Sequence, residues 1–99
     1  MIVVFTREAE DSLERIGDYI AQDNPQRALT FIEEVRSAAL ALADFPTAYP
    51  LVSRYSRLGV RRRVHGNYLI IFQIVRDRIV ILSIVGGAQD YDRLITPEG

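Results

Sequence analysis

"VRRRVHGNYLIIFQIVRDRIVILSIV", residues 60–85, decides the fold. Its residues are mostly β-branched, aromatic or apolar, and turn chemistry divides them into three strands. Gly66-Asn67 is a two-residue hairpin signal between Val60–His65 and Tyr68–Val75. Asp77-Arg78 marks a second turn before Ile79–Val85, and Gly86-Gly87 ends the last run. The expectation is a meander of three antiparallel strands. The second and third are apolar at consecutive positions, so both faces of the sheet carry apolar side chains.

Toward the N-terminus, "PTAYPLVSRYSRLG" is a loop, punctuated by Pro46, Pro50 and Gly59. Before it lie two amphipathic helices. Thr6 is placed to cap the first, with Glu8 in its first turn where the helix dipole favours an anion. Ala9, Leu13, Ile16 and Ile20 recur at helical spacing, with acids on the other side. Asn24 and Pro25 suit the N-cap and first position of the second helix. Its stripe is Ala28, Phe31, Val35, Ala38, Leu42 and Phe45, and Pro46 stops it. A link this short implies an antiparallel hairpin. Ile2–Phe5 is a short first strand. After the meander, Tyr91, Leu94 and Ile95 have the spacing of a short closing helix, with Thr96–Gly99 fraying. These elements predict one domain over residues 1–99. It is an α+β, two-layer fold of order β-α-α-β-β-β-α, with the N-terminal helix hairpin packed on a mainly antiparallel sheet.

The 99 residues suffice for a single core, and a 48% hydrophobic content argues against disorder. With no cysteine there is no disulfide, thiolate metal site or cysteine nucleophile. One histidine without clustered ligands gives no expectation of a metal, and no cofactor motif is present. No apolar stretch is long enough to span a membrane, and Met1–Phe5 lacks the basic start of a signal peptide. A cytoplasmic protein is expected. The formal net charge of −1 disfavours autonomous DNA binding.

All 12 basic residues are arginine, and three of them are consecutive at 61–63. If Val60 and Val64 face the helices, then Arg61, Arg63 and His65 share the outer face, with Arg62 on the helix side. An outer face that is partly apolar and rimmed by arginine marks a partner site. The alternative cover is the closing helix or a second copy of the chain.

Four stretches together resemble the ParE toxins of the ParE/RelE superfamily, the toxic halves of type II toxin–antitoxin modules. They are "FTREAEDSLERIGDYIAQDNPQRAL" (5–29), "LADFPTAYP" (42–50), "GVRRRVHGNYLIIFQI" (59–74) and "IVILSIVGGAQDYDRLI" (79–95). The resemblance implies a toxin neutralised by a ParD-like antitoxin with a ribbon-helix-helix part and a wrapping tail. It also implies one of two activities: ParE-like members bind and inhibit DNA gyrase, whereas RelE-like members cleave messenger RNA on the ribosome. An inactive relative serving as a binding module is a third reading. Gyrase inhibition is expected here, because cleavage needs groups that handle a proton and phosphate charge. Lysines are absent, and Gly86-Gly87 stands where related nucleases often carry histidine. A nuclease would have to use Arg61, Arg63, His65 and Tyr91. Antitoxin contacts are expected at Arg61, Arg62, Arg63 and Tyr68, and target contacts at Asp90, Tyr91 and Arg93.

Overall fold

A computed structural model describes residues 1–87, and the expected closing helix with Asp90, Tyr91 and Arg93 lies outside the described residues. The chain runs β1 (Ile2–Phe5), α1 (Arg7–Ala21), α2 (Pro25–Ala41), β2 (Val60–His65), β3 (Tyr68–Val75) and β4 (Arg78–Gly86). Both caps act as their residue types suggest. Thr6 Oγ1 accepts from the Ala9 N–H at 3.0 Å, and Asn24 Oδ1 from the Arg27 N–H at 3.0 Å.

The sheet order is β1-β4-β3-β2, so β1 and β2 are the edges. β2, β3 and β4 form the expected antiparallel meander, whereas β1 pairs with β4 in parallel, from Ile2↔Arg78 to Phe5↔Ile81. Beyond that pairing α1 itself takes over the edge of β4. The Thr6 N–H donates to the Ile81 carbonyl at 3.1 Å, and Thr6 Oγ1 to the Leu82 carbonyl at 3.1 Å. The Ile84 N–H donates to Ser12 Oγ at 3.0 Å, and Ser12 is buried. The first turns of the helix thus satisfy backbone groups that a longer β1 would have paired.

Two cores lie on opposite faces of the sheet. Between sheet and hairpin, Ala9, Leu13, Phe31 and Val35 pack with Ile70, Phe72, Ile79, Ile81 and Ile84. On the outer face, Val52 and Tyr55 pack on Val60, Leu69, Ile71 and Val85. Part of the outer face is therefore covered by the chain's own segment between α2 and β2. That segment is not plain loop but contains two short 3-10 turns, Pro46–Ala48 and Ser53–Leu58.

Three local expectations are corrected. The stripe of α2 stops before Phe45, which is 74% exposed, because the helix ends at Ala41. The β3–β4 turn is Arg76-Asp77, one residue earlier than expected, and Arg78 already pairs with Val75. Most consequential is the facing of β2. Arg61 pairs with Phe72 and Arg63 with Ile70, both residues of the hairpin-side core. Arg62 pairs with Ile71 of the outer core. Cross-strand partners share a face, so Arg61, Arg63 and His65 face the helices and Arg62 faces outward. The condition that Val60 and Val64 face the helices does not hold, because the outer face has a core of its own. Val60 is buried in that core, while Val64, beyond its reach, is 65% exposed.

Candidate functional site

The arginine run lies on edge strand β2, against α2 and the segment that follows it. Arg61 Nη1 donates to the Tyr49 carbonyl at 2.7 Å and lies 3.4 Å from that of Thr47. Arg63 Nη1 donates to the Ala38 carbonyl at 2.9 Å, and its guanidinium sits 5.5 Å from the centre of the Tyr49 ring. α2 has no basic residue in its last turn. The edge strand therefore supplies a cation to the carbonyl end of the helix, where the dipole favours one.

At the end of β2 a second set gathers. His65 Nε2 lies 3.3 Å from Glu34 Oε1, and Arg27 Nη1 donates to Glu34 Oε2 at 2.8 Å. The Arg27 hydrogen bond holds the Glu34 carboxyl below the usual carboxylate range. Phe31, one turn from Arg27, presents its ring edge-on to both His65 (6.0 Å) and Tyr68 (5.1 Å). Between α2 and β2 an open cleft of about 630 Å³ is lined by Thr30, Glu34, Ser37, Arg63 and His65, among others.

The structure thus brings Arg63, His65 and Tyr68 to the α2 side of the sheet and sends Arg62 to the other. Glu34 and Arg27 join this group unannounced, because Glu33-Glu34 reads from the sequence as an acidic pair on a solvated helix face. The usable signal was their spacing: Arg27, Phe31 and Glu34 stand at i, i+4 and i+7 on one face of α2.

Chemically, the arrangement holds a carboxylate against an imidazole within reach of a guanidinium. One guanidinium nitrogen of each, Nη1 of Arg61 and Nη1 of Arg63, is turned onto a backbone carbonyl of the fold. Tyr91 lies outside the described residues. Among the described residues no three His, Cys, Asp or Glu side chains gather as a metal site. No described helix is long and apolar enough to cross a membrane.

The family model for the ParE toxin of the type II toxin–antitoxin system parDE matches residues 3–91. Among solved structures, the chain is similar to a chain of the chromosomal ParDE system from P. aeruginosa, at 22% sequence identity and a TM-score of 0.75. The match covers 88% of this chain and 96% of that one. At that identity the likeness shows the shared fold. No curated protein matches this sequence.

Proposed function

Since the chain belongs to the ParE family, the toxins of type II toxin–antitoxin systems, we propose that it acts by binding and inhibiting DNA gyrase and is neutralised by a ParD-like antitoxin. The observation that carries the choice between inhibition and RNA cleavage is the use made of Arg61 and Arg63. Their Nη1 donors hold carbonyls of Tyr49 and Ala38. Stabilising a cleaved phosphate requires donors preorganised toward the phosphate and not toward the fold. An inhibitor needs only a shaped surface, with arginine and aromatic anchors at its centre.

Asp90, Tyr91 and Arg93 are assigned to the target. Arg62 on the outer face, Tyr68 at the start of β3, and the donors that Arg61 and Arg63 leave unspent are assigned to the antitoxin. A guanidinium carries five N–H donors, and acidic side chains of an antitoxin tail suit its fork. The partnership is supported by the similar chain from P. aeruginosa, which comes from a ParDE system.

The test incubates the protein with gyrase and relaxed plasmid, and separately with translating ribosomes. Loss of supercoiling activity with intact messenger is the expected result. Messenger cleavage without an effect on gyrase overturns the reading. One observation favours that second outcome: His65 Nε2 lies 3.3 Å from Glu34 Oε1 beside the cleft, an imidazole–carboxylate contact of the kind from which general acid–base sites are built. A chain truncated after Gly87 is expected to lose toxicity while still melting cooperatively. Antitoxin affinity is expected to fall on substitution of Arg62.

A further inference from the structure

The net charge conceals a division between the layers. Residues 1–45, which carry β1 and the helix hairpin, have nine carboxylates and four arginines. Residues 46–87, which carry the rest of the sheet and the segment before it, have seven arginines and a single carboxylate, Asp77. Pairing divides in the same way. In the hairpin Arg15 meets Glu8, Arg27 meets Glu34 and Arg36 meets Glu10. On the sheet side, Arg57, Arg76 and Arg78 are exposed and meet no carboxylate or carbonyl among the described residues.

These three share one end of the sheet. Gln73 Nε2 donates to the Leu58 carbonyl at 2.6 Å, which holds the residue after Arg57 over β3. Two residues beyond Gln73, Val75 pairs with Arg78, and Arg76 forms the turn between them. Arg78 lies on the outer face with Val75 and Gln73, by the register that places Ile79 and Ile81 in the hairpin-side core.

Arg76 adds an independent sign. Its φ is +58°, and it is the one non-glycine residue with positive φ among the described residues. Glycine or asparagine is favoured in that conformation, and an arginine there is kept against the local backbone preference. Residues so held concentrate where the side chain has a use.

We propose that this end of the sheet, through Arg57, Arg76 and Arg78, docks on the phosphate backbone of double-stranded DNA. The three exposed arginines lie at one rim of the sheet and at the β3–β4 turn, where Asp77 is the one carboxylate among them, and such an open arrangement suits a row of phosphates better than a single recessed anion. The acidic hairpin on the other side of the sheet repels the same polyanion and so fixes which face approaches. The expectation that this chain has no DNA affinity of its own rests on a net charge that sums these two layers with residues 88–99, which hold three carboxylates and one arginine. The choice of DNA over another polyanion rests on the gyrase reading, because gyrase works on duplex DNA. The test uses no gyrase, so its failure and the failure of that reading are separate results.

The full chain is titrated, free of antitoxin, against a fluorescently labelled 20-base-pair duplex at 50 and 200 mM salt. Three phosphate contacts weaken binding about 40-fold over that range. The variant R57Q/R76Q/R78Q is expected to lose the salt-dependent binding with an unchanged Tm, whereas R15Q on the hairpin retains it. R76G separates use from strain: it relieves the left-handed backbone, so it is expected to raise Tm while weakening DNA binding. No saturable binding by the unmodified chain at 50 mM salt overturns the proposal. So does unchanged affinity in the triple variant, or an equal loss in R15Q.

Discussion

Arg63 reaches from the edge strand to the end of a helix: its Nη1 donates to the Ala38 carbonyl at 2.9 Å, one of the last four carbonyls of α2. The N–H groups of Leu42, Ala43 and Asp44 serve the carbonyls of Ala39, Leu40 and Ala41, so the bond ties the sheet layer to the helix layer at the carbonyl that this closing turn passes over.

Replacing Arg63 with Met keeps much of the apolar stem and removes the charge-assisted bond. The expected loss is about 1–2 kcal/mol in urea-unfolding stability, from the bond and the dipole contact together. Arg63→Lys recovers only part, because a lysine keeps the charge but not the planar group over Tyr49. An unchanged unfolding midpoint in Arg63→Met would show that the contact contributes nothing net.

Ser12→Ala leaves the Ile84 N–H without its acceptor beneath α1. An orphaned buried donor costs about 1–3 kcal/mol. Ser12→Thr retains the hydroxyl and is expected to lose less, provided its extra methyl fits beside Ala9 and Leu13. Urea titrations of both variants, with amide exchange at Ile84, test the assignment.

On the outer face, Ser83 Oγ and Tyr55 Oη are buried and have no hydrogen-bond partner among the described residues. Ser83 is 1% exposed. Ser83→Ala removes a desolvated hydroxyl at little cost in volume, so stability is expected to hold or rise by about 0.5–1 kcal/mol. Tyr55→Phe is expected to behave likewise. A loss above about 1 kcal/mol in either would show that the hydroxyl is satisfied in solution.

Acid weakens the hairpin through two carboxylates. The Arg36 hydrogen bond lowers the Glu10 pKa, and the Arg27 hydrogen bond lowers that of Glu34. A group with a depressed folded pKa stabilises the fold above its unfolded value, near 4.3 for Glu, and loses that contribution as pH falls through the folded value. Stability is therefore expected to decline below about pH 4.5. The effect is small per pair, since both pairs are half exposed. Glu10→Gln flattens this acid limb, and urea midpoints between pH 6 and 2.5 measure it.

The element order was legible because each boundary carries its own chemistry: Thr6 and Asn24 at the helix starts, and Gly66-Asn67 between β2 and β3. The facing of β2 was not. Alternation divides 60–65 into two sets but does not say which set meets which layer. That depended on Val52 and Tyr55 making a second core, and nothing in "PLVSRYSRLG" (50–59) marks those two as inward. The site suffered from the same gap. Arg61 and Arg63 read as free surface charge, because the carbonyls they hold belong to backbone 12 to 25 residues away. Glu34 reads as solvated because its partner, His65, is 31 residues distant.

The parallel pairing of β1 with β4 sets the order of assembly. The hydrogen bond from Thr6 to Leu82 spans 76 residues, so the first strand made has no partner until the last is complete. Closing so long a loop is entropically costly, and contacts of this kind slow folding. The helix hairpin and the meander, built from near neighbours, are expected to form first, with β1 docking late. A docking mutation such as Val3→Ala should therefore accelerate unfolding and leave the refolding rate nearly unchanged. A newly synthesised chain spends that interval with the free edge of β4 open to another strand.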